Sequence, residues 1–140
     1  MVRDILSGIV TGLAMSTVFL GIIIYAFIST RNLYDRLAAR LPASLSPMAF
    51  MVLVLVTIPV VWGILGALIG FLYAEIREAL PGEGLGSPNA AYTLIILGVV
   101  ATLMLLVLIV RRRNAIISLT TCLLFAGIFG WILPLLAEWR

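Results

Sequence analysis

The chain has 140 residues, 64% hydrophobic and 11% charged, with a net charge of +3 and a mean hydropathy of +1.26. Soluble domains carry about 25% charged residues, so this composition belongs to membrane proteins, and the length suits one compact bundle. All nine basic residues are arginine and histidine is absent, which excludes an imidazole base and a His-ligated metal or haem; the lone Cys122 excludes an intramolecular disulfide, a CxxC pair and a cysteine-held cluster.

Four apolar blocks, 5–28, 48–74, 91–110 and 115–136, contain no Asp, Glu, Lys or Arg. Each has 20 or more residues, and about 20 cross a ~30 Å hydrocarbon layer as helix. The first block is too long for the apolar core of a cleaved leader and predicts a span. On it Gly8, Gly12 and Ser16 recur at i+4, and Ser7, Thr11, Ser16 and Thr17 supply hydroxyls.

The connection that follows repeats Leu33, Leu37 and Leu41 at i+4, with Arg36 and Arg40 on another face. The pattern over 31–41 predicts a short helix on the membrane surface, or an extension of the first span, ended by Pro42.

The second block opens with Ser46-Pro47, a capping hydroxyl before a first-turn proline. Pro59 takes the donor from the Leu55 carbonyl and predicts a bend. Gly63, Gly66, Gly70 and Ala74 share one face, with Thr57 on the other side of Pro59. Trp62 is expected to pack inside.

Between the second and third blocks lies the most polar stretch, 73–92. Its GEGLGS run, at 82–87, has no preceding strand and no Lys, so its glycines predict turns rather than a phosphate cradle. Glu75 and Glu78 fall at i and i+3, with Glu83 beyond them; they read as a solvated helix end rather than a cation site. Ser87-Pro88 is read as the cap of the third helix.

The third block has a weaker small-residue face, Gly98, Ala101 and Thr102, and runs into Arg111, Arg112 and Arg113. Those arginines are read as a topology anchor touching anionic lipid; nucleic-acid binding would want a broader basic patch with interleaved aromatics. Asn114 is placed to cap the fourth helix. There Ser118, Cys122, Ala126, Gly130 and Pro134 form an i+4 line, and Pro134 frees the Gly130 carbonyl. Trp131 is expected to pack.

Six arginines fall in the first and third connections and three elsewhere, with net charges of +5 and −2 on the two sides. The positive-inside rule puts the arginine-rich connections in the cytoplasm and both termini outside. Tyr25, Tyr34, Tyr73, Tyr92 and Trp139 fall near block ends, where amphipathic rings suit the headgroup level.

The expected fold is all-α: four transmembrane helices in an antiparallel bundle. Small-residue faces let helices approach closely where lipid supplies no hydrophobic drive. Gly8, Gly12, Ser16, Gly63, Gly66, Gly70, Cys122, Ala126 and Gly130 are therefore the expected packing or partner interface. Spans without ionisable groups lack the carriers of proton-coupled transport. The leading expectation is a non-catalytic accessory, assembly or scaffolding subunit without a cofactor, bound to membrane lipid and to a membrane-protein partner or further copies of itself. The alternative is a passive channel or facilitator formed by a homo-oligomer, with Ser16, Thr17, Thr57 and Thr121 lining a polar path. An enzyme would have to use Glu75, Glu78 or Glu83 on the outer face.

Overall fold

The computed structural model describes residues 1–29, 35–36, 39–42, 46–110 and 115–139. Among them the secondary structure is helical: α1 (Val2–Ser29), α2 (Pro47–Ala79), α3 (Ala90–Val110), and a fourth helix in three consecutive pieces. These pieces are α4 (Ala115–Gly127), a π-helical turn (Ile128–Ile132) and α5 (Leu133–Glu138). Among the described residues, four segments are long and apolar enough to cross a membrane: Val2–Ser29, Pro47–Ala79, Ala90–Ile109 and Ser118–Glu138.

Two departures from the expected elements have local causes. The fourth helix is not one regular α-helix; the Leu133 N–H reaches the Ile128 carbonyl, five residues back, and Pro134 follows with no N–H to offer. The cap of α3 is Asn89 rather than Ser87. Its Oδ1 accepts from the Tyr92 N–H at 2.8 Å, and its Nδ2 donates to the Leu80 carbonyl at 2.9 Å. Asn89 thereby ties the start of α3 to the end of α2, which Ser87 is too short to do. Ser46 does cap α2, accepting from the Ala49 N–H at 3.1 Å. Helix α2 continues through Pro59.

The loop between α2 and α3 is a tight turn. Gly84 and Ser87 exchange two backbone hydrogen bonds of 3.1 and 2.9 Å around Leu85 and Gly86, both with positive φ. That is the turn geometry which matches a hairpin's twist, and only the second position has the residue suited to it. Of the 31–41 connection, Asp35 and Arg36 form a helical turn, with the Ala39 N–H bonded to the Asp35 carbonyl at 3.0 Å. The rest of the surface-helix expectation falls mainly outside the described residues, as do Arg111, Arg112, Arg113 and Asn114.

Helices α1 and α2 make the most extensive contact. Asp4 lies against Gly70, Gly8 against Gly66 and Gly70, and Gly12 against Trp62 and Gly66, so the register climbs α1 as it descends α2. A methyl on Gly8 would collide with the Gly66 carbonyl, and one on Gly66 with the Gly8 carbonyl. Glycine is required here because backbone touches backbone. Helix α3 packs on the fourth helix, with Thr93 and Ile96 beside Gly130.

The core sits at one end. Met15, Tyr73, Tyr92, Phe129 and Leu133 are buried there, and Trp62 adds a ring cluster with Phe19, Phe125 and Phe129 at centroid distances of 5.1, 6.3 and 6.3 Å. No described residue is buried in 17–29, 47–65, 101–109 or 116–125. Burial among the described residues is thus concentrated at the end holding the 80–89 loop, the closed end of the assembly.

Candidate functional site: a polar clamp at the closed end

Asp4 lies in the first turn of α1, where a carboxylate meets the positive pole of the helix. It falls on the same i+4 line as Gly8, Gly12 and Ser16. Closing the glycine seam therefore carries Asp4 inside, to 1% exposure. Arg77, in the last turn of α2, meets it as a fork: Nη1 lies 2.9 Å from Oδ1, and Nη2 donates to Oδ2 at 3.2 Å. The Met1 amino group lies 2.7 Å from Oδ2. Among the described residues, Asp4 Oδ1 is the buried side-chain oxygen without an aligned hydrogen bond, and the guanidinium is its ion-pair neighbour.

The Arg77 guanidinium also covers the Tyr73 ring, 5.5 Å from its centroid. Tyr73 is fully buried; its hydroxyl donates to Glu138 Oε1 at 3.1 Å, and its ring meets Tyr92 edge-on at 4.9 Å. Tyr73 and Tyr92 are therefore not headgroup anchors, as their places at the block ends predicted. The seam draws Tyr73 into the core, and the Asn89 cap sets Tyr92 opposite it. Tyr25 and Trp139 are exposed.

The π turn explains what Tyr92 and Thr93 do. Because Leu133 bonds back to Ile128, the Phe129 carbonyl loses its usual donor, and the next candidate is Pro134. The Tyr92 hydroxyl donates to that carbonyl instead, at 2.9 Å. The Gly130 carbonyl loses Pro134 as its normal partner, as the sequence predicted, and Thr93 Oγ1 stands 3.0 Å from it while also 3.0 Å from the Asn89 carbonyl. On the other side of the turn the Trp131 indole donates to the Leu85 carbonyl at 2.8 Å. Trp131 thus fastens the loop, where packing alone was expected.

The predicted interface residues divide. Gly8, Gly12, Gly66 and Gly70 form the α1–α2 seam, and Ser16 is buried at its end, donating to the Leu13 carbonyl at 2.7 Å. Gly63 has only Leu13 near it and borders an apolar groove of about 350 Å³ with Ile9, Leu13, Pro59 and Ala67. Ala126 and Gly130 are buried, and Cys122 is half-buried beside a cavity of about 120 Å³ shared with Val100, Leu103, Thr121 and Phe125. Of the hydroxyls proposed for a polar path, Thr17 and Thr57 are exposed, and Thr17 donates to the Leu13 carbonyl at 3.0 Å, as Ser16 does.

Glu75, Glu78 and Glu83 are exposed, and among the described residues no group of three His, Cys, Asp or Glu is placed to hold a metal ion. An open cleft of about 500 Å³ lies over the loop, bordered by Glu83, Ser87, Pro88, Leu135 and Glu138. Sequence reasoning missed the Asp4, Arg77 and Glu138 contacts by treating those residues only as charges to count. The signal was present: Asp4 continues the glycine line of α1. Chemically, the cluster ties all four helices together and spends its polar groups on one another. No protein-family model, curated protein or solved structure matches this chain.

Proposed function

We propose that this chain is a multi-pass protein of the cell membrane, an antiparallel four-helix bundle with both termini outside and the arginine-rich connections in the cytoplasm. In this reading it is a non-catalytic accessory, assembly or scaffolding subunit that packs against a larger membrane complex. The opposed contact register of α1 with α2, and of α3 with the fourth helix, supports the antiparallel arrangement. The arginine distribution supports the orientation.

One observation carries the functional reading. The inward polar side chains at the closed end bond to each other and to backbone carbonyls, from Asp4 with Arg77 to Tyr92 with Phe129. Such groups hold a shape rather than await a substrate, and the outer helix faces remain for a partner. The test is purification from native membranes in mild detergent, with crosslinking before extraction. A stoichiometric membrane partner is expected. Recovery as a lone monomer, crosslinked to nothing, would overturn the assignment.

A further inference from the structure

We propose that the loop between α2 and α3 is a flap with two positions on the fourth helix. In the first its tip, residues 83–86, is latched to Trp131 and the cleft beside it stands open. In the second the tip lies one turn further along, over Leu135, and the cleft is closed. The charge on Glu83 selects between them.

The base of the loop is pinned. Asn89 Nδ2 donates to the Leu80 carbonyl at 2.9 Å, and the Ala90 N–H donates to the Gly82 carbonyl at 2.9 Å. Ser87 is buried, and its Oγ accepts from the Asn89 N–H at 3.3 Å. The tip is held differently. It meets the fourth helix through the Trp131 indole, which donates to the Leu85 carbonyl in an exposed bond of 2.8 Å. Water that replaces such a bond returns most of its worth. Against the bond stands Leu85 at φ 55°, a backbone region that leucine resists.

The space for the second position is present. The cleft of about 500 Å³ has Glu83, Gly84 and Gly86 on one wall and Leu135 and Glu138 on the other. Leu135 follows Trp131 by four residues, about 6 Å at 1.5 Å per residue. Leu85 and Leu135 are 55% and 52% exposed. Laying Leu85 over Leu135 covers both side chains and lets Leu85 leave the left-handed region. It gives up the Trp131 bond and the pair of bonds between Gly84 and Ser87.

Charge opposes the closure. Glu83 rides on the tip and Glu138 stands on the opposite wall, so closing the cleft brings two carboxylates together. Glu138 accepts from the Tyr73 hydroxyl, with Arg77 over the Tyr73 ring and Asp4 paired to Arg77 behind it. Glu83 is the carboxylate on the moving wall. Neutralising it shifts the tip from Trp131 toward Leu135.

The experiment uses the full chain in neutral detergent. Solvent exchange of the Trp131 indole N–H, read by NMR, follows the latch. Glu83→Gln should speed that exchange by roughly two- to five-fold, and Leu135→Ala should slow it. The Tyr92 N–H, held by Asn89 at the base, should keep its exchange rate in both variants. An indole that responds to neither substitution overturns the proposal. So does a Tyr92 N–H that exchanges in step with the indole, because the whole closed end would then be opening rather than the flap.

The second position is trapped by disulfide formation in a Cys122→Ser background. Leu85→Cys combined with Leu135→Cys should form a disulfide under mild oxidation, since closure brings the two Cα atoms within the ~7 Å that the bond allows. Adding Glu83→Gln should speed its formation. Leu85→Cys combined with Leu123→Cys, three turns away along the fourth helix and also exposed, should not crosslink. Absence of the 85–135 disulfide even with Glu83→Gln, or equal rates for the two pairs, overturns the proposal.

Discussion

The Tyr92 hydroxyl donates across 2.9 Å to the Phe129 carbonyl, an acceptor that its own helix has left without a donor. The bond joins α3 to the π turn. It shows how an irregular backbone can persist in apolar surroundings: the freed carbonyls at 129 and 130 are each met by a hydroxyl from the neighbouring helix.

Removing one of those hydroxyls should cost about 1–3 kcal/mol, the penalty for a buried acceptor left unpaired. Tyr92→Phe keeps the ring and its contact with Tyr73, so its loss isolates the hydrogen bond. For Thr93→Val the partner substitution is Pro134→Ala, which restores an N–H within reach of the Gly130 carbonyl. The cost of Thr93→Val should shrink in the Pro134→Ala background, as read by a double-mutant cycle of detergent unfolding.

The glycine seam predicts opposite outcomes for one chemical change. Gly66→Ala places a methyl against the Gly8 carbonyl and should destabilise by about 1–3 kcal/mol or more. Gly98→Ala meets nothing within 4 Å and should be neutral or stabilising by up to about 1 kcal/mol through helix propensity. Thermal melts in a single detergent compare the two directly.

The Asp4 and Arg77 pair should behave as a coupled unit. Asp4→Ala strands a guanidinium over Tyr73, and Arg77→Ala leaves a carboxylate that is 98% covered with the Met1 amino group as its remaining ionic neighbour. Because the Arg77 side chain is 32% exposed, water recovers part of the loss. Each single substitution is expected to cost about 1–2 kcal/mol, with the double substitution costing less than their sum. Strict additivity in unfolding measurements would contradict the pairing.

The loop carries strain that can be relieved. Leu85 sits at φ 55° with its side chain more than half exposed, and its carbonyl is its working group, accepting from Trp131. Leu85→Asn or Leu85→Gly should stabilise by about 1 kcal/mol, since the left-handed region penalises leucine. Gly86→Val, at φ 70° in the same turn, should cost a similar amount or more. Both are read as shifts in melting temperature.

Orientation can be checked with single cysteines after Cys122→Ser. A cysteine replacing Glu83 should react with an impermeant maleimide on intact cells. One replacing Arg36 should react only after the membrane is opened. The reverse pattern would invert the proposed topology.

The hydropathy blocks marked the four helices to within a few residues at most of their ends, because twenty apolar residues in a row can do little else but form a buried or membrane-crossing helix. The i+4 glycines of the first two helices pointed to the α1–α2 seam for a similar reason: residues four apart share a face, and a face without side chains invites another backbone. Pro134 exposed its missing hydrogen bond in the same local way. All of these features depend on neighbours along the chain, which is why they were legible before any fold was known.

The tertiary structure decided who answers those local demands. That Asp4 meets Arg77, that Tyr73 bonds Glu138, and that Tyr92 rather than water satisfies Phe129 all depend on register between helices far apart in sequence. Shifting one helix by a single turn, about 5.4 Å, would exchange every partner while leaving each helix's own pattern intact. The π turn belongs to the same class, since a bulge is tolerable only where a neighbour presents a donor to the carbonyl it frees.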